Sequence, residues 1–433
     1  MSKSSRLGRV YLWGPDPGSA IGGRVTAAVV PLLRLDTSGE GSGRLWGCYV
    51  RVRNGGAVNE SDGVTGAVRA VAIGDARPNA EGDFLFEPGR GGGRIDKVVI
   101  ADPDFRWRYV QASHFGEVNT YFHLDRIAAY VDDLCRELGA PPLPRVTAVV
   151  NAHHAATERG GVRDGVRRGE RWMPFQGGHY RLPSRRHDPR EHEPISPDGE
   201  IHLGPGRQLL EHGAVVEAAG GRYRANAAHN AGILYHEYGH HVTRHTADLR
   251  ANALRSPDRQ RNGKTPLDEG ICDYWAATML GTPHIWAWHR RHDHQEVHPR
   301  SLTSSKTMAD YDPRPGADAH ANGTIWAAGL WDLRMRLAST EPGGARRTDL
   351  LVLKALLLLA RVVDPGREAS VRSVCRARGR YDVALAAFLQ ADQLLDAGRH
   401  HQIILASFSE RGIKLEPSIG AGTNGTLCLG TRS

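Results

Sequence analysis

The chain has 433 residues and a formal net charge of +8, from 56 basic and 48 acidic side chains. One hydrophobic core stops growing well below this length, so two or more domains are expected. The charge is modest, and the Arg-rich stretch 159–193 has no regularly interleaved aromatic residues, which argues against nucleic-acid binding. The most apolar run, 350–363, is too short to span a membrane and contains Lys354 and Arg361.

The cysteines and the N-terminal segment give the expectation for the cellular compartment of the protein. The five cysteines are widely spaced and form no CxxC motif, which favours free thiols over a disulfide framework. The N-terminal segment MSKSSRLGRVYLWGPDP has no apolar stretch after its basic residues, so no signal peptide is recognised. We therefore expect either a cytoplasmic protein or a secreted protein that has already been trimmed.

Residues 1–110 are predicted to form a β-rich N-terminal region. Four β-branched runs are separated by clusters of Gly, Asn and Asp: VTAAVVPLLRLD, RLWGCYVRVRN, AVRAVAIGDA and KVVIAD. No group of candidate catalytic residues occurs in this region.

Residues 111–245 combine helical and strand patterns and are predicted to form an upper catalytic lobe. A helical stripe of apolar residues starts near Phe115 and ends at Gly139, and the segments VTAVVNA and GEIHLGPG follow as probable strands. The segment ANAAHNAGILYHEYGHHVTRH then predicts a helix, with Asn226 or Asn230 as its N-cap.

Residues 246–415 are predicted to form a helical lower lobe, followed by a tail at 416–433. One helix has Thr265 as N-cap and Pro266 at its first position, and it closes at Gly281. Four further helical patterns complete this lobe, and the whole chain is predicted to be an α+β protein.

The segment AGILYHEYGHH contains an HExxH motif at His236–His240. Two histidines four residues apart lie on one face of a helix, where both can reach one zinc ion. Glu237, beside the first ligand, is then placed to take a proton from the attacking water. The motif alone is weak evidence, since a chance match in a chain with 22 histidines has a probability of about 5%.

A catalytic zinc needs a third protein ligand, and the segment DEGICD offers Glu269. Asp273 lies four residues later on the same helix face, where it is expected to orient a ligating histidine. Acids in the first turn of a helix also interact favourably with the helix dipole. Without the HExxH motif upstream, this would be the preferred explanation for Glu269.

A zinc peptidase further needs a donor aimed at the oxyanion. His320 opens the next helix, and Asp318 is placed to fix its tautomer.

These segments together resemble the fungalysin-type metallopeptidases, relatives of thermolysin whose third zinc ligand is Glu. HEYGHH is similar to the family's HEYTHG, DEGICDYWA to its GEGWSDFMA, and AHANGTIWAAGLWDL to its HAIGEVWATMLWEV. The segments GEVNTYFHLDRIAAYVDDL and FLQADQLLDAGRHHQIILASFSERGI resemble the first and last helices of the family's catalytic region. The five segments occur in the same order between Phe115 and Gly412, which is far more specific than HExxH alone.

The resemblance implies a two-lobed thermolysin-like catalytic region and a zinc-dependent endopeptidase. It implies His236, His240 and Glu269 as zinc ligands, Glu237 as general base and His320 as the group that stabilises the oxyanion. It also implies an edge strand that binds the substrate backbone, for which QGGHYRLP and GEIHLGPG are the candidates.

The chain also departs from the family pattern. Cys272 and Asp268 replace the usual residues around the glutamate motif. No inhibitory propeptide and no Asp/Asn-rich calcium loop are recognised, so one catalytic zinc and no calcium are expected.

Two other functions remain open on the sequence. A pathway-specific intracellular processing peptidase fits the unrecognised signal and propeptide, and a zinc-bearing peptide-binding protein without activity would use the same fold. The base beside the ligands favours an enzyme over the binding protein. In each case the partner is a peptide or protein, with no nucleic acid or membrane, and a monomer is expected.

Overall fold

The structure is a computed structural model. It describes residues 5–18, 22–61, 68–88, 98–99, 103–155, 171–174, 177–183, 195–204, 208–211, 214–218, 226–286, 300–362, 371–416, 419–421 and 427–429.

The chain divides into two compact units. The first comprises 1–129, 145–237 and 287–296, and the second comprises 130–144, 238–286 and 297–433. The strands of the first unit, in chain order, are β1 Arg6–Pro15, β2 Gly23–Leu32, β3 Val50–Asn54, β4 Ala57–Ser61, β5 Val68–Ala72, β6 Val98–Val99, β7 Val146–Val150, β8 His153–Ala155, β9 Arg171–Pro174, β10 Gly178–Arg181, β11 Glu200–Leu203, β12 Gln208–Glu211 and β13 Ala214–Ala218.

Helices account for more of the chain than strands do, and most of them belong to the second unit. They are α1 Pro103–Glu137, α2 Ala231–His245, α3 Pro266–Leu280, α4 Ala319–Thr340, α5 Gly344–Leu359, α6 Val371–Arg378, α7 Tyr381–Asp396 and α8 His401–Ser409, followed by the hairpin strands β14 Ile419–Ala421 and β15 Leu427–Leu429. This mixture of helices and small sheets confirms the predicted α+β class. Among the described residues, no helix has both the length and the apolarity needed to cross a bilayer.

The strands of the first unit form three sheets. Strands β1 and β2 pair antiparallel along their full length, and a larger sheet has the order β5-β4-β13-β12-β9-β8, with β6 on β13. A four-stranded sheet has the order β10-β11-β7-β3, in which β11 and β3 run parallel to the central β7. The segment QGGHYRLP thus contributes β10 at an edge of this described sheet, and GEIHLGPG contributes the interior strand β11.

Helix α1 holds the start of α2 through two buried polar side chains. Asn119 accepts a hydrogen bond from the Tyr11 amide at 2.9 Å and donates to the carbonyl of Ala228 at 2.8 Å. His123 lies 2.8 Å from the Tyr11 carbonyl and 2.7 Å from the Tyr235 hydroxyl. Because buried polar groups are costly unless paired, these contacts fix the approach to α2 more specifically than apolar packing would.

The second unit is a set of helices packed on a core of aromatic and aliphatic side chains. Trp326 of α4 is fully buried, and its ring centroid lies 4.5 Å from that of Phe408 and 5.3 Å from that of Tyr381. Trp326 is therefore a core residue of the second unit. Asp349 of α5, also fully buried, accepts hydrogen bonds from Tyr274 of α3 and Arg334 of α4, both at 2.6 Å.

Candidate metal centre

The helix that carries HExxH begins with two consecutive caps. Asn226 caps a short 3-10 turn at Ala227–His229 by accepting from the amide of Ala228 at 2.9 Å. Asn230 directly precedes α2, and its side-chain oxygen accepts from the Ile233 amide at 3.3 Å. Both alternatives proposed from the sequence therefore have a capping role, and α2 itself begins at Ala231.

Helices α3 and α4 begin as predicted. The Thr265 hydroxyl accepts from the Asp268 amide at 3.1 Å, Pro266 is the first residue of α3, and Gly281 ends it at a φ of 70°. Asp318 caps α4 by accepting from the His320 amide at 3.0 Å. Both caps leave a metal-ligand candidate in the first turn of the helix, where side chains are held closely by the capped backbone.

Three glycines let these helices approach one another closely. A Cβ atom on Gly239 of α2 would lie 2.7 Å from the Cα atom of Cys272 in α3. A Cβ atom on Gly270 of α3 would lie 2.4 Å from the carbonyl oxygen of Gly323 in α4, and one on Gly323 would lie 2.8 Å from the amide nitrogen of Gly270. Real Cβ atoms do not approach backbone this closely, so glycine is required at each helix crossing. Each glycine is within one helical turn of a predicted site residue.

These crossings bring together His236, His240, Glu269 and His320, which we call the central cluster. Glu269 Oε2 lies 3.8 Å from His240 Nε2 and 3.1 Å from His320 Nε2. His236, one turn before His240 on the continuous helix α2, offers a ligand atom that lies within 4.8 Å of those of Glu269 and His320. The two histidines of the motif and Glu269 are all buried. The described residues thus include a buried group with the donor atoms to bind a metal ion.

Two side chains lie next to Nδ1, the second ring nitrogen of His240: the carboxylate of Asp268 and the thiol of Cys272. His240 Nδ1 is 3.1 Å from Asp268 Oδ2 and 3.1 Å from Cys272 Sγ. Burial raises the pKa of Asp268, but its contact with His240 outweighs burial and lowers the pKa below its ordinary value. When Asp268 accepts a hydrogen bond from His240 Nδ1, the free lone pair of the His240 ring is on Nε2, and Nε2 lies on the side of Glu269.

Asp273 was expected to orient a ligating histidine. In the structure, Asp268 rather than Asp273 lies next to His240 Nδ1. The Asp273 carboxylate accepts two hydrogen bonds from Arg300, at 3.0 Å to Nε and 2.6 Å to Nη2. Arg300 also lies over the ring of Trp286, 4.7 Å from its centroid. A planar guanidinium matches a carboxylate in this two-point geometry better than an imidazole does, which explains why Asp273 faces Arg300.

His320 is held by the residue that caps its own helix. His320 Nδ1 lies 2.9 Å from Asp318 Oδ1, while Nε2 faces Glu269. Burial raises the pKa of Asp318, but its hydrogen bonds from His320 outweigh this and lower the pKa. The side chain of His320 is 43% exposed, so this histidine is accessible to solvent, unlike the buried Glu269 beside it.

Glu237 is buried on α2 and lies against strand β10. A Cβ atom on Gly178 would lie 2.6 Å from Glu237 Cγ and 2.6 Å from Ile233 Cγ2. Any larger residue at 178 would displace the glutamate or the strand. Gly178 thus allows the edge strand to run directly beside the candidate base.

The structure also gives the positions of several other histidines. His241, directly after the second histidine of the motif, is fully buried, and Nε2 lies 2.9 Å from the carbonyl oxygen of Pro144. Burial lowers its pKa to about 3, so it is a neutral core histidine. The side chains of His153 and His154, the pair His292 and His294, and most of the Arg-rich stretch 159–193 lie outside the described residues.

A second group of possible ligands was not expected. Asp392, Asp396 and His400, which we call the terminal cluster, have ligand atoms within 4.8 Å of one another. His400 Nδ1 lies 2.8 Å from Asp392 Oδ1, and the His400 amide donates to Asp392 Oδ2 at 2.9 Å. His400 was not predicted as a ligand, because no carboxylate partner was recognised in the sequence around it.

Comparison with protein-family models gives no match to this chain, and comparison with curated proteins gives none. The resemblance to fungalysin-type peptidases consequently stays a prediction from the five segments that carry it.

Proposed function

We propose that this protein is a zinc-dependent endopeptidase. His236, His240 and Glu269 would hold the zinc ion, Glu237 would act as general base and His320 would stabilise the oxyanion. The observation that carries the proposal is the convergence of histidine and glutamate donor atoms, from three separate helices, around the residues of an HExxH motif. A thermolysin-like two-lobed catalytic region is part of the same proposal.

The donor set suits zinc. Two imidazole nitrogens and one carboxylate oxygen leave a fourth position for water or substrate, which is the composition of catalytic zinc sites. Zinc bound there would polarise the scissile carbonyl and make the attacking water acidic near neutral pH. The contact between Asp268 and His240 supports this assignment, because ligating histidines usually donate their second ring N–H to a carboxylate or carbonyl.

Glu237 would move the protons. Its carboxylate would take a proton from the attacking water and then pass it to the nitrogen of the leaving amine. The position of Glu237 supports this role, because the residue is buried and directly follows the first histidine of the motif.

His320 would donate from Nε2 to the oxygen that gains negative charge. Asp318, 2.9 Å from Nδ1, fixes the orientation of the ring and leaves Nε2 as the nitrogen that would donate. A preformed donor of this kind stabilises the transition state more than the substrate.

Strand β10 would bind the substrate backbone. As an edge strand of the described four-stranded sheet it can pair with an added peptide strand, and Gly178 brings it beside Glu237. Between the two candidate segments, the edge position favours QGGHYRLP over GEIHLGPG.

The deciding experiment measures zinc in the purified protein together with digestion of a peptide library, with and without a chelator. We expect cleavage that the chelator abolishes and that added zinc restores. The Glu237→Gln variant should keep its zinc and lose hydrolysis, because the amide cannot accept the proton. Glu40→Gln, at an exposed position, is the matched control and should cleave normally. Wild-type rates in Glu237→Gln would disprove the mechanism.

The same assays separate the alternatives. Zinc binding with specific peptide binding but no cleavage would identify a non-catalytic peptide-binding protein. Cleavage of a few related sequences, with casein left intact, would identify a processing peptidase rather than an enzyme of broad specificity.

A further inference from the structure

A cavity in the second unit is lined mainly by arginine side chains. Its volume is about 530 Å³, and its walls carry the side chains that we call the arginine pocket. These are Arg250, Arg255, Arg261, Val371, Arg372 and Cys375. The volume falls within the range of small-molecule sites and exceeds what one inorganic phosphate would fill.

The segment between α2 and α3 is folded so that it presents three of these arginines. The Asp248 carboxylate accepts from the amides of Asn252 and Ala253, at 2.9 and 2.8 Å. The Asn252 side chain in turn accepts from the Arg261 amide at 2.9 Å and donates to the Arg261 carbonyl at 3.2 Å. Arg250 Nε donates to the Gly263 carbonyl at 2.5 Å. The arginines therefore project from a backbone that hydrogen bonds hold in place.

The arginines of the pocket form no ion pairs with carboxylates of the residues that the structure describes. Within the described part of the chain, no carboxylate lies at salt-bridge distance from Arg250, Arg255, Arg261 or Arg372. Burial lowers the pKa of Arg250, and the neighbouring charges of Arg261 and Arg255 lower it further, although Asp268 and Cys375 act in the opposite direction. Clustering like charges in a partly buried cavity costs free energy unless an anion binds there.

Helix α6 adds to the positive potential. Its first two residues, Val371 and Arg372, both line the cavity, so the amino end of the helix faces it. The amides of a first helical turn have no partner within the helix and favour a negative ligand. Arg255 also spans the pocket, with Nη2 at 3.8 Å from Cys375 Sγ on α6.

We propose that the arginine pocket is a binding site for a small molecule that carries phosphate groups. Guanidinium groups bind phosphate oxygens through paired hydrogen bonds, and several of them around one cavity favour a ligand with more than one negative charge. The site is separate from the proposed zinc centre, so neither proposal depends on the other.

Calorimetry of the full chain with pyrophosphate tests the proposal. Arg261→Ala combined with Arg372→Ala removes two exposed pocket arginines, and we expect affinity to fall about tenfold or more, since charge-assisted hydrogen bonds are lost. Arg259→Ala combined with Arg376→Ala removes the same charge from exposed neighbours outside the pocket and should bind like wild type. Equal affinity in both double variants would overturn the proposal, as would no binding to wild type.

Cys375 gives a second, local measurement. Pyrophosphate should slow alkylation of Cys375 several-fold and leave the exposed Cys48 unchanged, as followed by peptide mass spectrometry. Citrate at the same ionic strength should protect less, because each carboxylate offers two acceptor oxygens to the arginines and each phosphate group offers three. Equal protection by citrate, or equal slowing at both cysteines, would contradict a phosphate site in this pocket.

Discussion

The central and terminal clusters both combine carboxylates with histidine, yet their surroundings differ. In the terminal cluster the acids contact two arginines as well as a histidine: nitrogens of Arg347 and Arg399 each lie 3.7 Å from Asp396 Oδ1, and His400 Nδ1 lies 2.8 Å from Asp392 Oδ1. In the central cluster Glu269 is next in sequence to Asp268, and its charge raises the pKa of that second buried acid. Two neighbouring carboxylates repel each other unless a cation separates them. We infer that the partners of the acids, more than residue type or spacing, favour the central cluster over the terminal cluster as the group that binds a metal ion.

The largest expected difference is in metal content. His240→Gln should bind no zinc, because it removes one of the three proposed protein ligands, whereas His400→Gln should keep about one zinc per chain. Zinc analysis after dialysis against trace zinc measures both. Loss of zinc in His400→Gln, with His240→Gln unaffected, would reverse the assignment of the two clusters.

The second difference is in stability without metal. Asp392→Asn removes a fully buried charge that holds His400 and the start of α8, so we expect a loss of about 3–5 kcal/mol in the free energy of unfolding. Glu269→Gln in metal-free protein should cost much less, since it removes the repulsion between Glu269 and Asp268. Urea denaturation in a chelator measures both, with Gln393→Ala as an exposed control on α7. A larger loss in Glu269→Gln than in Asp392→Asn would break the comparison.

The third prediction concerns the role of His320 within the central cluster. As an oxyanion donor it should be dispensable for zinc, so His320→Ala should keep the metal and lower kcat by about 10²–10³-fold. Asp318→Asn should lower kcat less than His320→Ala does, because the His320 ring remains and only its orientation is held less firmly. Proportional loss of zinc and activity in His320→Ala would instead make His320 a metal ligand.

Local sequence patterns predicted much of this site. The cap Thr265 was predicted correctly because capping depends on residues within one turn. The pairing of Asp273 could not be predicted, since its partner Arg300 is far away in sequence and no periodicity reports such a contact.

The three glycines at the helix crossings were visible in the sequence but received no weight. Gly239, Gly270 and Gly323 each sit within one turn of a site residue, and a glycine in a helix interior is costly unless close packing requires it. That combination is a signal that could have predicted which helices cross at the site. The arginine pocket had no comparable signal, because its residues come from a loop and from a helix about 110 positions later.

The smallest expected effect is a loss of folding stability at acidic pH. This loss limits the pH range in which the two clusters can be compared. Burial lowers the pKa of His123 to about 3, so this ring stays neutral in the folded protein. Below a pH of about 6.5 the unfolded chain binds a proton that the folded chain does not, so stability is full above that pH and falls as the pH falls toward 3. At pH 5 the expected loss in the free energy of unfolding from this one group is about 2 kcal/mol.

The His123→Gln variant tests this prediction. Its side chain can still bridge the Tyr11 carbonyl and the Tyr235 hydroxyl, and it should remove that part of the pH dependence in metal-free urea titrations at pH 7 and pH 5. The exposed His179→Gln serves as the control, and a pH dependence unchanged in His123→Gln would show that other groups cause the acid sensitivity.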